Sequence, residues 1–397
     1  MACIGVSLRA EQTVERLVLA GSGGVGRSAD PGGDLAPRLA PRLVPRRAPR
    51  LGPQLAPQLA PQLPPQMDAP LTQELAAALD ALPPGAPIAV LIHGYRFDPG
   101  APDHDPHRLL FAQAPARQCA KLVSWTEGLG FDETPETGLA IGFGWPARAA
   151  HLPSLVRLGH TGFAEIYARA GAAGAALAGL IAQIAALAPG RPIDILAHSL
   201  GARVALSALP RLEAGAAGAI GRLILLGGAE YAGTARAALA QMGHGCAGAP
   251  GPGRMPARTA PEIYSITARQ NDLYDALFET FAPRDDALCD RVLSRGVDAP
   301  NWFSLQLDAP QLMDWAAARG IALDPADRAV CHWSFYTRPG ALALYARILR
   351  DRAAWSVAAL RRAPALAEQE PRWTRLSGLP RAAISLPRPR LRRARGL

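Results

Sequence analysis

The stretch Ile193-Asp194-Ile195-Leu196-Ala197-His198-Ser199-Leu200-Gly201-Ala202-Arg203-Val204-Ala205-Leu206 constrains this chain more than any other. An apolar run follows Arg191-Pro192, stops at a serine set among small residues, and passes directly into a segment whose apolar positions recur at helical spacing. It reads as strand, sharp turn, helix. Ala197 stands two residues before the serine and Gly201 two after it, where larger side chains would meet the neighbouring strand or helix. A serine at such a turn is lifted out of the sheet to where a base can reach it. The start of the helix also offers backbone N–H groups to an anion.

Other segments repeat this alternation. Leu71 to Leu82 predicts a short helix, Ile88 to Ile92 a buried strand ending in His93-Gly94, and Leu139 to Pro146 a second buried strand. The Ala-rich segment Gly162 to Leu187 predicts the crossover helix between parallel strands, although Gly171, Gly174 and Gly179 are poor helix formers. Leu223–Leu226, Glu262–Thr267 and Trp302–Asp308 read as later strands, Pro310 to Arg319 as a helix, and Leu342 to Leu360 as one closing amphipathic helix. Residues 282–330 are the hardest to place and are candidates for covering a pocket.

The pattern A-x-S-x-G is a variant of the nucleophile elbow G-x-S-x-G, and from about Ile88 to His332 the chain resembles the α/β-hydrolase superfamily. The strand closing on Trp145-Pro146 is similar to one in a group of little-characterised bacterial members, and would place Phe143 or Trp145 either beside the pocket or in the core. The resemblance implies an α/β fold with a mostly parallel central sheet flanked by helices, a serine nucleophile, and no cofactor. It also implies an oxyanion hole made by the backbone N–H groups of Tyr95, just after His93-Gly94, and Leu200, just after the serine. Gly94 lets the backbone approach the site, and His93 reads as a satisfied structural histidine.

Of the histidines, only His244 and His332 follow the elbow, and His244 lies in a Gly/Pro-rich loop from Gly243 to Pro261. The superfamily's chain order of serine, acid, histidine selects His332 as base. The implied acid is Asp272, in the turn after a late strand, with Glu230 and Asp275 as alternatives; Asp272 also reads as the N-cap of a helix starting at Leu273. The expected reaction is cleavage of an ester or other acyl bond of a small molecule through an acyl-enzyme. Activity is expected to fall as His332 protonates below about pH 6.5. The alternatives are an acyltransferase on the same triad and a non-catalytic binding protein of this fold.

Charge argues against nucleic acid. The chain carries +9, but residues 1–70 hold +3 and residues 363–397 hold +6, leaving the body neutral. Every basic residue except Lys121 is arginine, and no basic stripe with interleaved aromatics occurs. From Leu35 to Gln66 runs a tetrad repeat (LAPR, LVPR, LAPQ and variants) whose prolines forbid helix and sheet. The organisation expected is a low-complexity Pro-rich disordered tail over 1–70, a hydrolase-like domain over 71–362, and a basic disordered tail over 363–397. Translation starting at Met67 is a further expectation.

Gly21-Ser22-Gly23-Gly24-Val25-Gly26 fits a dinucleotide fingerprint, but Asp30-Pro31-Gly32-Gly33 follows where a helix would be needed. Asp103-His104-Asp105-Pro106-His107 has metal-binding residue types in a loop with no further ligand cluster, so no metal is expected. Five scattered cysteines form no C-x-x-C pair. No secretory signal is evident and no run is expected to reach the length of a membrane span, so the expectation is a cytoplasmic protein without membrane partners.

Overall fold

Side chains that alternate along seven parallel strands build two apolar layers on either side of one sheet. The structure, a computed structural model, describes residues 3–8, 14–16, 69–116, 119, 121–148, 160–246, 260–284 and 291–367. The chain divides into two compact units, residues 20–63 and the remainder, and every described residue belongs to the latter. The Gly21–Gly26 run, the tetrad repeat and the tail beyond Ala367 lie outside the described residues.

The strands are β1 (Cys3–Leu8), β2 (Val14–Arg16), β3 (Ile88–Ile92), β4 (Leu139–Gly144), β5 (Ile193–His198), β6 (Ile220–Leu226), β7 (Glu262–Thr267) and β8 (Trp302–Gln306). Their order is β2-β1-β4-β3-β5-β6-β7-β8, with seven strands parallel and β2 antiparallel at the edge. Parallel neighbours require crossovers, and the longer described helices are α1 (Ala69–Asp80), α2 (His160–Leu187), α3 (Leu200–Ala208), α4 (Ala232–Cys246), α5 (Asp272–Phe281), α6 (Pro310–Ala317) and α7 (Ala341–Arg350).

Ile88, Val90 and Ile92 of β3 join Ile193, Ile195, Leu223 and Leu225 in one layer, closed by α1, α2 and α3. Ala89 and Leu91 point the other way, with Leu196, Ile224 and Tyr264, into a layer closed by α6 and α7. Such two-sided burial explains why the central strands read as unbroken apolar runs.

Two glycines of α2, Gly171 and Gly174, have a packing reason. A Cβ on Gly174 would lie 2.7 Å from Ser207 Cβ, so its absence lets α2 approach α3 closely, and Gly171 faces the Arg203 guanidinium. Contrary to the sequence expectation, Gly162–Leu187 is long and apolar enough to cross a membrane by length and composition. In this fold its Ile166, Ala170, Ala173, Leu177, Ile181 and Ile184 are buried in the sheet's first layer.

Three other expectations change. Residues 1–70 are not all tail: β1 lies parallel to β4 with Ile4 and Val6 buried. The Ser7 hydroxyl is 2.9 Å from His107 Nε2, which, with Asp105 capping the short helix Pro106–Leu109, gives the Asp103–His107 cluster a structural role. The domain also extends past 362, since Leu366 in the helix Pro364–Ala367 is buried. The segment Leu342–Leu360 is two helices, α7 and Val357–Arg361, because Asp351 accepts from Ala354 N–H and Ser356 caps the second helix. Residues 282–330 supply the edge strand β8, α6 and a turn at Leu293–Arg295 bonded to Glu230.

Candidate active site

Backbone strain marks the centre of the site. Ser199 follows β5 and precedes α3 with φ +56 and ψ −124, a conformation L-residues rarely adopt. It is held by three main-chain bonds of 3.0 Å: Ser199 N–H to Leu226 O, and Ala202 and Ala229 N–H to Ser199 O. Gly201 is required beside it, since a Cβ there would lie 2.7 Å from the Ile92 carbonyl.

The end of β3 approaches the elbow from the other side. A Cβ on Gly94 would lie 2.7 Å from Ser199 Cβ, so only glycine fits. The next residue, Tyr95, donates its N–H to no carbonyl among the described residues. Leu200, as the first residue of α3, has no intrahelical acceptor for its own. Among the described residues Arg96 carries the other positive φ of a non-glycine residue, +83, with its N–H on Ala147 O at 2.9 Å. His93 is structural: Nδ1 donates to Gly94 O at 2.8 Å, Nε2 accepts from Trp145 N–H at 3.1 Å, and Trp145 stacks on its ring. Burial pushes its pKa down to about 3. Phe143 and Trp145 are both core residues.

His332 arrives from a distant part of the chain, pinned by buried polar groups. Cys331 N–H donates to Gln270 O at 2.9 Å, and the Gln270 side chain joins Arg328 O at 2.7 Å and the Arg338 guanidinium at 2.5 Å. His198, just before the serine, has Nε2 at 3.0 Å from His332 O, and the two rings lie 4.5 Å apart. Tyr274 stacks on the His332 ring with centroids 4.7 Å apart. Among the described residues no hydrogen bond joins the Ser199 hydroxyl to the His332 ring; such contacts are often long in unliganded sites.

The partner of the His332 ring is not Asp272. Nδ1 lies 2.6 Å from Asn271 Oδ1, and Asn271 Nδ2 donates to Asp275 Oδ1 at 2.8 Å. An amide oxygen only accepts, so Nδ1 carries the proton and Nε2 keeps a free lone pair. Asp272 is the buried first residue of α5, and Asn271 occupies the N-cap position without using its side chain as a cap. Burial, with His198 nearby, holds the His332 pKa well below the ordinary histidine value.

Glu230 is committed elsewhere. Its carboxylate accepts from Tyr167 OH at 2.5 Å and Tyr231 N–H at 2.8 Å, and pairs with Arg203. His244 falls within α4 instead of a loop.

Sequence reasoning missed Asn271 and His198. Asn271 sits beside the chosen Asp272, and a side chain bearing a carbonyl oxygen can orient imidazole as a carboxylate does, though without charge. His198 lies inside the elbow motif itself.

Residues 84–227 match the model of a family described as "Alpha/beta hydrolase of unknown function (DUF900)". No curated protein matches the chain. The family match spans β3 to β6, with the Gly94-Tyr95 turn and the Ser199 elbow, while Asn271, Asp275 and His332 lie beyond it. The parallel sheet, the strained serine at the strand-to-helix turn and this match over part of the chain together support an α/β-hydrolase superfamily assignment.

Proposed function

We propose that the chain is a serine hydrolase that cleaves an ester or other acyl bond of a small molecule through an acyl-enzyme. The observation that carries this reading is the strained Ser199 with the His332 ring brought beside its neighbour His198, Nδ1 engaged and Nε2 unprotonated. His332 Nε2 takes the hydroxyl proton as Ser199 Oγ bonds to the carbonyl carbon, and Tyr95 and Leu200 N–H groups stabilise the oxyanion. The imidazolium then protonates the leaving group as the acyl–leaving group bond breaks. Water, deprotonated by the same ring, releases the acid and frees Ser199. In this reading Asn271 takes the orienting position that the superfamily resemblance gave to Asp272.

The test is a fluorophosphonate probe applied to native and denatured protein. Labelling of Ser199 in the native protein alone, lost in Ser199→Ala and His332→Ala, is expected. Turnover of simple esters is expected to fall by on the order of 10⁴ to 10⁶ in either variant. Undiminished turnover in both would refute the assignment, and a native protein that no probe labels would identify a binding protein of the same fold.

A further inference from the structure

Asp275 is a buried carboxylate beside the site that the mechanism above does not use, and it is bonded to the partner of the His332 ring. We infer that Asp275 is a positioning residue: through the Asn271 amide, its carboxylate holds the His332 ring in the tautomer that leaves Nε2 free to accept the Ser199 proton. The inference rests on the serine-hydrolase reading of the site.

An amide cannot orient itself, since it presents a donor on one side and an acceptor on the other and the two are nearly isosteric. Reversed, Asn271 would offer its NH₂ to His332 Nδ1. The proton would then move to Nε2 and the ring could not act as base. Asp275 forbids the reversal. An ionised carboxylate only accepts, so it draws Nδ2 towards itself at 2.8 Å and turns Oδ1 to the ring at 2.6 Å. All the parts are positioned for this. Asn271 and Asp275 are separated by one turn of α5, both are buried, and Asn271 forgoes the helix cap that its position offers.

The arrangement also makes the tautomer depend on pH. Burial, helped by Asp272 and Glu279 of its own helix, pushes the Asp275 pKa up to about 7. The Ser294 hydroxyl and the Arg295 guanidinium, from the turn packed against that helix, oppose the rise. Above this value the carboxylate is ionised and the amide is fixed. Below it the protonated acid can donate to Asn271 Oδ1, the amide is released, and active tautomer is lost. His332 itself, held well below the ordinary value, stays neutral through this range. The upper acid limb of kcat therefore belongs to Asp275, and lies above the limb expected from histidine alone.

The experiment uses full-length protein labelled with ¹⁵N in the histidine rings, with the His332 signal identified by its loss in His332→Gln. At pH 8 the wild type is expected to show His332 neutral with its proton on Nδ1. In Asp275→Asn the partner can donate or accept, so a mixture of tautomers is expected, and kcat falls on the order of 10²-fold with KM little changed. The acid limb near the Asp275 value disappears with it. The double variant Asn271→Asp/Asp275→Asn puts the carboxylate directly on Nδ1 and is expected to restore both the signal and most of kcat, which a merely structural role for Asp275 would not allow. An Asp275→Asn protein that folds and keeps the wild-type tautomer and pH profile overturns the inference. A tautomer that depends on Asp275, in a protein whose Ser199 no fluorophosphonate labels, leaves the relay standing and removes the hydrolase reading.

Discussion

At Gly94 a single hydrogen in place of a methyl group decides whether two loops can meet. The added Cβ of Gly94→Ala would lie 2.7 Å from Ser199 Cβ and 3.0 Å from the His198 carbonyl, neither of which is a flexible side-chain end. The turn must shift and carry Tyr95 N–H with it. Loss of one oxyanion donor costs about 10²- to 10³-fold in kcat. Steady-state kinetics on Gly94→Ala should show that fall, with the elbow serine still reacting slowly with a fluorophosphonate. The strain at Ser199 belongs to the same logic: three main-chain bonds hold φ at +56 and keep the hydroxyl clear of the sheet.

At the level of elements, β1 is the least expected piece. Only six residues long and paired on its outer side by β2, it covers the flank of β4 through five paired positions and buries Ile4 and Val6. Burial of two such side chains stabilises by about 3 to 6 kcal/mol, an upper figure because unfolded chains already hide part of this surface. A chain beginning at Met67 would leave the β4 edge unpaired and His107 without Ser7. Its urea midpoint should drop below that of the full-length chain, and light scattering should show association through the bare edge. Equal midpoints would show β1 to be dispensable.

Across the whole domain, the end of the sheet opposite Ser199 is tied to the C-terminal helices by buried charge. Arg222, 2% exposed, pairs with Glu262 at 2.8 Å and donates to Arg352 O at 2.7 Å and to Ile348 O. Glu262 also accepts from Val357 N–H at 2.7 Å, and Arg352 returns to the buried Asp194 at the start of β5. Removing Arg222 leaves Glu262 with only Val357 N–H and the Tyr264 hydroxyl and takes the guanidinium donors from the Ile348 and Arg352 carbonyls, at a cost of about 1 to 3 kcal/mol for each acceptor left buried. Arg222→Met should therefore lower the denaturant midpoint sharply. Its folded fraction should keep wild-type kcat, because position 222 lies at the far end of β6 from Leu226, which pairs with His198.

The sequence by itself determined what local periodicity and local sterics control. The apolar runs Ile88–Ile92 and Ile193–His198 are buried on both faces and could hardly be other than central parallel strands. The small residues around Ser199 specify a tight strand-to-helix turn wherever they occur. What only the tertiary structure decided is which distant groups meet there. Asn271 and Asp272 are adjacent, of nearly equal size, and equally suited to a turn before a helix. The choice between them at the His332 ring is made by the Gln270 and Arg338 contacts that join two segments some sixty residues apart. Nor could periodicity reveal β1, because a six-residue strand gains its stability almost entirely from the neighbour it pairs with.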